Sequence, residues 1–338
     1  MSMTSTGDRI SAINGQLMSI AEASQLILAG AGVSVAGDEE ALKQLPKGLW
    51  IGGTIPYFMT DEGGVCRRDQ VFVNPLPSAS GDPGLCTYDV GSIHSLCLDA
   101  PTNGFTVLIV PAFSEIHQTF AHDAPEFDGM YMQPLVGWVA GAHLDDLGSR
   151  TPKTVFGPTG EFLEDQAVAM HVALDMDKAA SIETVNLFSP GAGPALRFRE
   201  SGFVVTEVEV DGKLTNFAHY LKEMQIDTRL PLVADYCGAF INVSVQEVDV
   251  EQGLVKLYAP VFPELEYRIA GSIPPYAEAI KNAIPDDSLE TAFCCNCILN
   301  YLYGELEGQK TGRMVGPMTF GEIAYQLVNQ TMVYLRID

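Results

Sequence analysis

Apolar residues in this chain gather in runs of strand length, and that constrains the fold more than any other feature. The stretch Phe105–Val110 is apolar but for Thr106, which predicts a strand covered on both faces. Further on, Val168, Met170, Val172 and Leu174 alternate with Ala167, Ala169, His171 and Ala173. A period of two is that of a strand, here with one bulky face and one small face open to a helix or a ligand. At the end of the chain, Thr331, Val333, Leu335 and Ile337 alternate with Met332, Tyr334 and Arg336, predicting a last strand. Other strands are predicted at Leu26–Ala29, at Gly48–Gly53 running into a glycine turn, and at Pro134–Gly141, Phe203–Val210, Phe240–Val250 and Leu254–Tyr258.

Helical spacing is rarer. Ile10, Ile13, Leu17, Ile20 and Ala21 predict an amphipathic helix ending near Ala23. Ser114 reads as the N-cap of a helix to Ala121, and Pro274–Pro275 open one through Ile284. Residues 74–104 are rich in Pro, Gly, Ser and Asp, and predict a loop or an insertion with a short helix. The expected fold class is α/β in the broad sense and α+β in the strict one. It has mixed, largely antiparallel β-sheets flanked by helices. A length of 338 residues suits two packed halves of similar size, with the boundary expected between residues 1–225 and 226–338.

A net charge of −24 repels polyanions. Nucleic acid and anionic membrane surfaces are therefore excluded as expected partners. A small-molecule ligand or a basic partner protein stays open. No apolar run approaches the roughly 20 residues of a membrane helix. Met1–Asp8 lacks the basic and apolar regions of a signal peptide. Seven cysteines, an odd number without framework spacing, predict free thiols in the cytoplasm.

Four stretches could carry chemistry. In Phe293–Cys294–Cys295–Asn296–Cys297, a helix beginning at the cysteines would place thiols at its positive end and favour the thiolate. Cys295 and Cys297 are then the exposed candidates, and the plain alternative is small buried side chains. In Gly316–Ile323, glycines bracket Thr319 and Glu322. Such a loop brings backbone N–H groups to a ligand, and Glu322 would meet an ammonium group. The plain alternative is a turn capped by Glu322. Gly137–Asp146, containing Trp138, His143 and Asp145, reads as the lip of a pocket. His117, His122 and Asp123 lack the spacing that puts two histidines on one helical face. His171, on the small-residue strand face, is the histidine that most invites a test. No nucleophile elbow, P-loop, dinucleotide fingerprint or zinc-protease motif is present, so no catalytic residue is named and enzymatic activity is left uncertain.

The segments Phe293–Cys294–Cys295, Gly316–Ile323 and Asn329–Gln330–Thr331 resemble the C-terminal half of the FIST family of ligand-sensing domains. Gly137–Gly141, Val155–Gly157 and Asp165–Leu174 resemble its N-terminal half in order and spacing. The family's usual arginine after the cysteine is missing here, and Trp138 replaces a common glycine. The resemblance implies a small-molecule-binding sensory protein acting through a separate partner protein. The ligand it implies is an amino acid or related metabolite. It also implies one alternative, a haem-binding gas sensor, although no cofactor is predicted. An enzyme using a thiolate and an acidic interaction protein without a ligand are the others. The expected ligand-binding residues are Trp138, His143, Asp145, His171, Cys295, Cys297, Thr319 and Glu322.

Overall fold

The computed structural model describes residues 15–76, 81–236, 238–284 and 291–338. Strand makes up 42% of it and helix 17%, and the sheets are mixed or antiparallel, so the fold is α+β. Among the described residues there are four six-stranded sheets and one three-stranded sheet. No described helix is long and apolar enough to cross a membrane.

The central sheet follows from the longest apolar run. Gly104–Pro111 is buried along its whole length because it pairs on both edges. Leu135–Ala140 lies parallel to it on one side and Ala167–Ala173 antiparallel on the other. Gly84–Tyr88 closes one end of the sheet, and Glu322–Ala324 with Gln326–Val328 closes the other. The predicted two-faced strand keeps its pattern. Val168, Met170 and Val172 enter the main core, while Ala167 and Ala169 face a second core with Ile116 and Phe120 of a helix. That helix, Glu115–Asp123, starts where predicted, since the Ser114 hydroxyl accepts the His117 N–H.

A second mixed sheet, in which Val33–Gly37 and Trp50–Thr54 run parallel, faces the central one. Gly52 and Gly53 are strand residues there, not a turn. A side chain at Gly53 would strike Trp138, Ile109 and Ala140 of the facing sheet, so the missing Cβ sets the sheet-to-sheet approach. A third sheet contains Thr291–Cys297, Gly316–Thr319 and Met332–Ile337.

Local chemistry relocates the first helix. Ser19 and Glu22 form a capping box, so the helix starts at Ile20 and runs to Leu28. Leu17 belongs to the strand Gln16–Ser19, and Leu26–Leu28, expected as strand, form the last helical turn. Ile10 and Ile13 lie outside the described residues. The segment expected as loop also contains the strand Gly84–Tyr88 and a 3-10 turn at Ile93–Ser95. The expected boundary at residue 225 falls between the helix Phe217–Glu223 and the strand Leu232–Tyr236. Five strand pairings among the described residues cross it: Leu135–Ala140 with Glu322–Ala324, Tyr57–Thr60 with Gly316–Thr319, Ala180–Val185 with Met332–Ile337, Leu196–Arg197 with Tyr267–Ile269, and Gly202–Val205 with Leu254–Val261. Strands from both sides of that boundary thus share sheets.

Gly137 is where the central sheet is most tightly constrained, because a Cβ there would collide with the Leu108 backbone carbonyl. Gly137→Ala is expected to cost on the order of 3 kcal/mol, the upper end of overpacking. A denaturant melt checks this, and an unchanged midpoint would refute the close approach.

Candidate functional site

The two C-terminal motifs meet in the core. Gly316–Thr319 and Thr291–Cys297 are parallel neighbours, so Thr319 stands beside Cys297. Glu322 lies opposite Trp138 across an antiparallel pair. The Glu322 carboxyl is fully buried, and no cation pairs with it among the described residues. The Thr331 N–H and hydroxyl donate to its Oε2 at 3.2 and 2.8 Å, and Thr319 Oγ1 is 3.2 Å from Oε1.

Burial pushes Glu322 up to about 8, against the opposing pull of the Thr331 and Thr319 hydrogen bonds. The neighbours suit the neutral acid. Thr319 Oγ1 has the carbonyls of Asn296 and Gly321 within 3.2 and 3.1 Å. Its one proton can go to a carbonyl while the protonated Glu322 donates to its oxygen. Beyond Thr331, Asn300, Asn296 and Tyr276 extend the buried polar network. The ammonium partner expected for Glu322 is therefore corrected: the group is out of solvent and held neutral near pH 7.

The thiols are corrected in the same way. Cys295 and Cys297 belong to the strand, with Cys297 as N-cap of the helix Ile298–Tyr303, and both are buried. Burial, with the nearby Glu322 carboxylate adding to it, pushes both thiols well above the ordinary range. Cys295 Sγ donates to the Gly137 carbonyl at 3.3 Å. An exposed thiolate at a helix end is not what this arrangement provides.

Five expected residues thus gather around one buried centre: Trp138, Cys295, Cys297, Thr319 and Glu322. The other three stand apart. His143 stacks on Tyr57 with ring centroids 5.4 Å apart, and its Nδ1 accepts the Asp145 N–H, while the Asp145 side chain points to solvent. His171 shares hydrogen bonds with Tyr88 Oη at 2.9 Å and Thr106 Oγ1 at 2.8 Å. Both ring nitrogens are engaged, so His171 does not fit a haem ligand. No group of three or more metal-binding side chains exists among the described residues.

A different histidine, His117, borders a cleft. A cleft of about 140 Å³ lies between the first turn of Glu115–Asp123 and the three-stranded sheet of Gly202–Val205, Leu254–Val261 and Val245–Asp249. Phe113, Phe203 and Phe320 line it with His117, Lys256 and Tyr258. His117 is only 6% exposed, and its Nε2 has no hydrogen-bond partner among the described residues. Burial pushes this imidazole down to about 4, so it is neutral near pH 7. Burial pushes the Tyr258 phenol up to about 12, keeping it a donor.

Three backbone irregularities converge on this cleft. The register shifts between Gly202 and Val204, at Phe203, and between Val245 and Glu247, at the lining residue Gln246. Phe113 adopts a left-handed φ of 65°, a costly conformation for a phenylalanine. Bulges re-aim side chains, and here they turn residues into one space. Phe320 joins the cleft to the buried centre, since its neighbours Thr319 and Gly321 belong to the latter. In the sequence His117 stands out only with His122 and Asp123, at a spacing that does not suit a metal site. The available signal was its place on the apolar helix face with Phe120 and Ala121.

The fold and cleft define an α+β protein with a small, mostly apolar recess around a neutral histidine. Residues 18–338 match the model of a family of unknown function, DUF6976, and the chain belongs to that family. No curated protein and no solved structure matches it.

Glu322 and His117 act on stability with opposite sign. Glu322 is raised in the fold, so its contribution is full below about pH 4.5 and is lost as pH rises to about 8. His117 is depressed, so its contribution is full above about 6.5 and is lost as pH falls through about 4. Glu322→Gln can donate to Thr319 and accept from Thr331 without ionising. Relative to the wild type, this variant is expected to gain on the order of 3–5 kcal/mol between pH 4.5 and 8.5. Urea melts across that range measure it, and a pH-independent difference would show that Glu322 does not titrate there.

Proposed function

We propose that the protein binds a small molecule in the His117 cleft and acts as a sensory module read by a separate partner protein. The observation that carries this is His117 Nε2, a buried polar atom without a partner among the described residues, on a residue that lines a mostly apolar cleft. Leaving such an atom unsatisfied costs about 1–3 kcal/mol, and a bound ligand would supply its missing hydrogen bond. The convergence of two bulges and a left-handed phenylalanine supports the same reading, since strain of this kind collects at ligand sites. Neither Cys295 nor Cys297 lines the cleft, which favours binding over thiolate chemistry there.

The rim offers a route for a signal. Phe113 is half-exposed at the turn between the strand Gly104–Pro111 and the helix Glu115–Asp123, with its ring 6.1 Å from Phe320. A ligand touching that ring would bias the turn's conformation, and a partner could read it from outside. Placement in the cytoplasm is part of the proposal. It is supported by six free cysteines among the described residues.

A thermal-shift screen with metabolites tests the reading. A ligand at about 100 times its Kd should stabilise the protein by about 2.7 kcal/mol. His117→Leu should leave the unliganded melting temperature unchanged or higher, because an unsatisfied polar atom is removed. The same variant should abolish the ligand-induced shift. A ligand that shifts both proteins equally would place the site elsewhere, and a broad panel without any shift would end the proposal.

A further inference from the structure

The chain carries 43 acidic against 19 basic residues, yet no carboxylate lines the His117 cleft among the described residues. Its one charged lining group is Lys256. In so acidic a protein, a recess whose lining holds a cation and no carboxylate stands out. The remaining polar groups are Tyr258, Gln118, Gln246 and the neutral His117, all able to donate a hydrogen bond. Nothing in the lining can balance a ligand's ammonium group, and the buried Glu322 does not line the cleft.

Lys256 is available. Its ammonium is 2.7 Å from Glu247 Oε2, but the two side chains are 45% and 52% exposed. Exposed pairs of this kind are weak and exchange partners readily. Glu247 sits next to Gln246, where the strand bulges, and Lys256 shares a strand face with Tyr258 two residues on. The cleft lining therefore offers a cation beside several hydrogen-bond donors.

The lining is also aromatic. Phe113 and Phe320 meet at 6.1 Å, and the Phe203 ring lies 5.8 Å from His117. A volume of about 140 Å³ limits the occupant. Apolar cavities of about 150 Å³ accept one benzene ring, and a porphyrin is far larger.

We propose that the ligand is a small aryl carboxylate: one aromatic ring among Phe113, Phe203 and Phe320, with its carboxylate on Lys256 and Tyr258. This rests on the reading of the cleft as a ligand site and names the class it takes. It also separates the ligand from an amino acid, whose ammonium group would find no anion there.

Calorimetric titration with compounds sharing a phenyl ring tests this. The probes are 3-phenylpropionate, phenylacetate, benzoate, phenethylamine, phenylalanine and 2-phenylethanol. At least one carboxylate is expected to bind about tenfold or more tightly than the amine and the zwitterion. Its affinity should fall as salt rises. Lys256→Met should weaken that carboxylate about tenfold and the alcohol much less, with the melting temperature unchanged. Equal or tighter binding of phenethylamine or phenylalanine would overturn the assignment while leaving the cleft as a ligand site. So would a carboxylate indifferent to Lys256→Met. If none of the six binds, the aryl-carboxylate class is rejected, and the ligand site itself then stands or falls on the wider metabolite screen with His117→Leu.

Discussion

The pairing of Glu322–Ala324 with Leu135–Ala140 is the contact on which the remaining architecture depends. It joins strands nearly two hundred residues apart, so its loop-closure cost must be offset by what it buries. On one face it sets Glu322 beside Trp138, and on the other Ile323 beside the core of the helix Glu115–Asp123. On its other edge, Leu135–Ala140 packs closely on Gly104–Pro111, because the missing side chain of Gly137 leaves room for the Leu108 carbonyl. The segment that leads into Glu322 places Phe320 at the floor of the cleft. Core and cleft are thus built by one turn of chain.

A carboxyl without a counter-charge at that junction looks like a liability, and the structure limits it by protonation and hydrogen bonds. Thr331 and Thr319 contact both oxygens. Neutral Glu322 needs a donor, an acceptor and little else, which the threonines and two carbonyls supply. His117 Nε2, by contrast, has no hydrogen-bond partner among the described residues. One buried polar group is fully served and the other is not, and this contrast directs attention to His117.

Much of the fold was legible in the sequence. The strand Gly104–Pro111, the two-faced strand Ala167–Ala173, the Ser114 cap and the final strand all follow from local pattern. The first helix was misplaced because Ile10, Ile13 and Leu17 suggested helical periodicity, whereas the Ser19–Glu22 capping box sets the actual start. The Gly52–Gly53 pair suits a turn or a close packing contact equally, and only the facing Trp138 shows that close packing is the one in force.

The site divides in the same way. Sequence alone determined that Cys295, Cys297, Thr319 and Glu322 are unusual residues near each other in the chain, and their strands do converge. Whether they were exposed or buried was decided by tertiary structure, because residues 293–297 and 332–335 are buried in the packed molecule. The cleft was wholly a tertiary outcome. His117 comes from a helix, Phe320 from the C-terminal turn, and Phe203, Lys256 and Tyr258 from a three-stranded sheet. No local spacing encodes that meeting, since burial and the loss of a hydrogen-bond partner exist only once distant segments have packed.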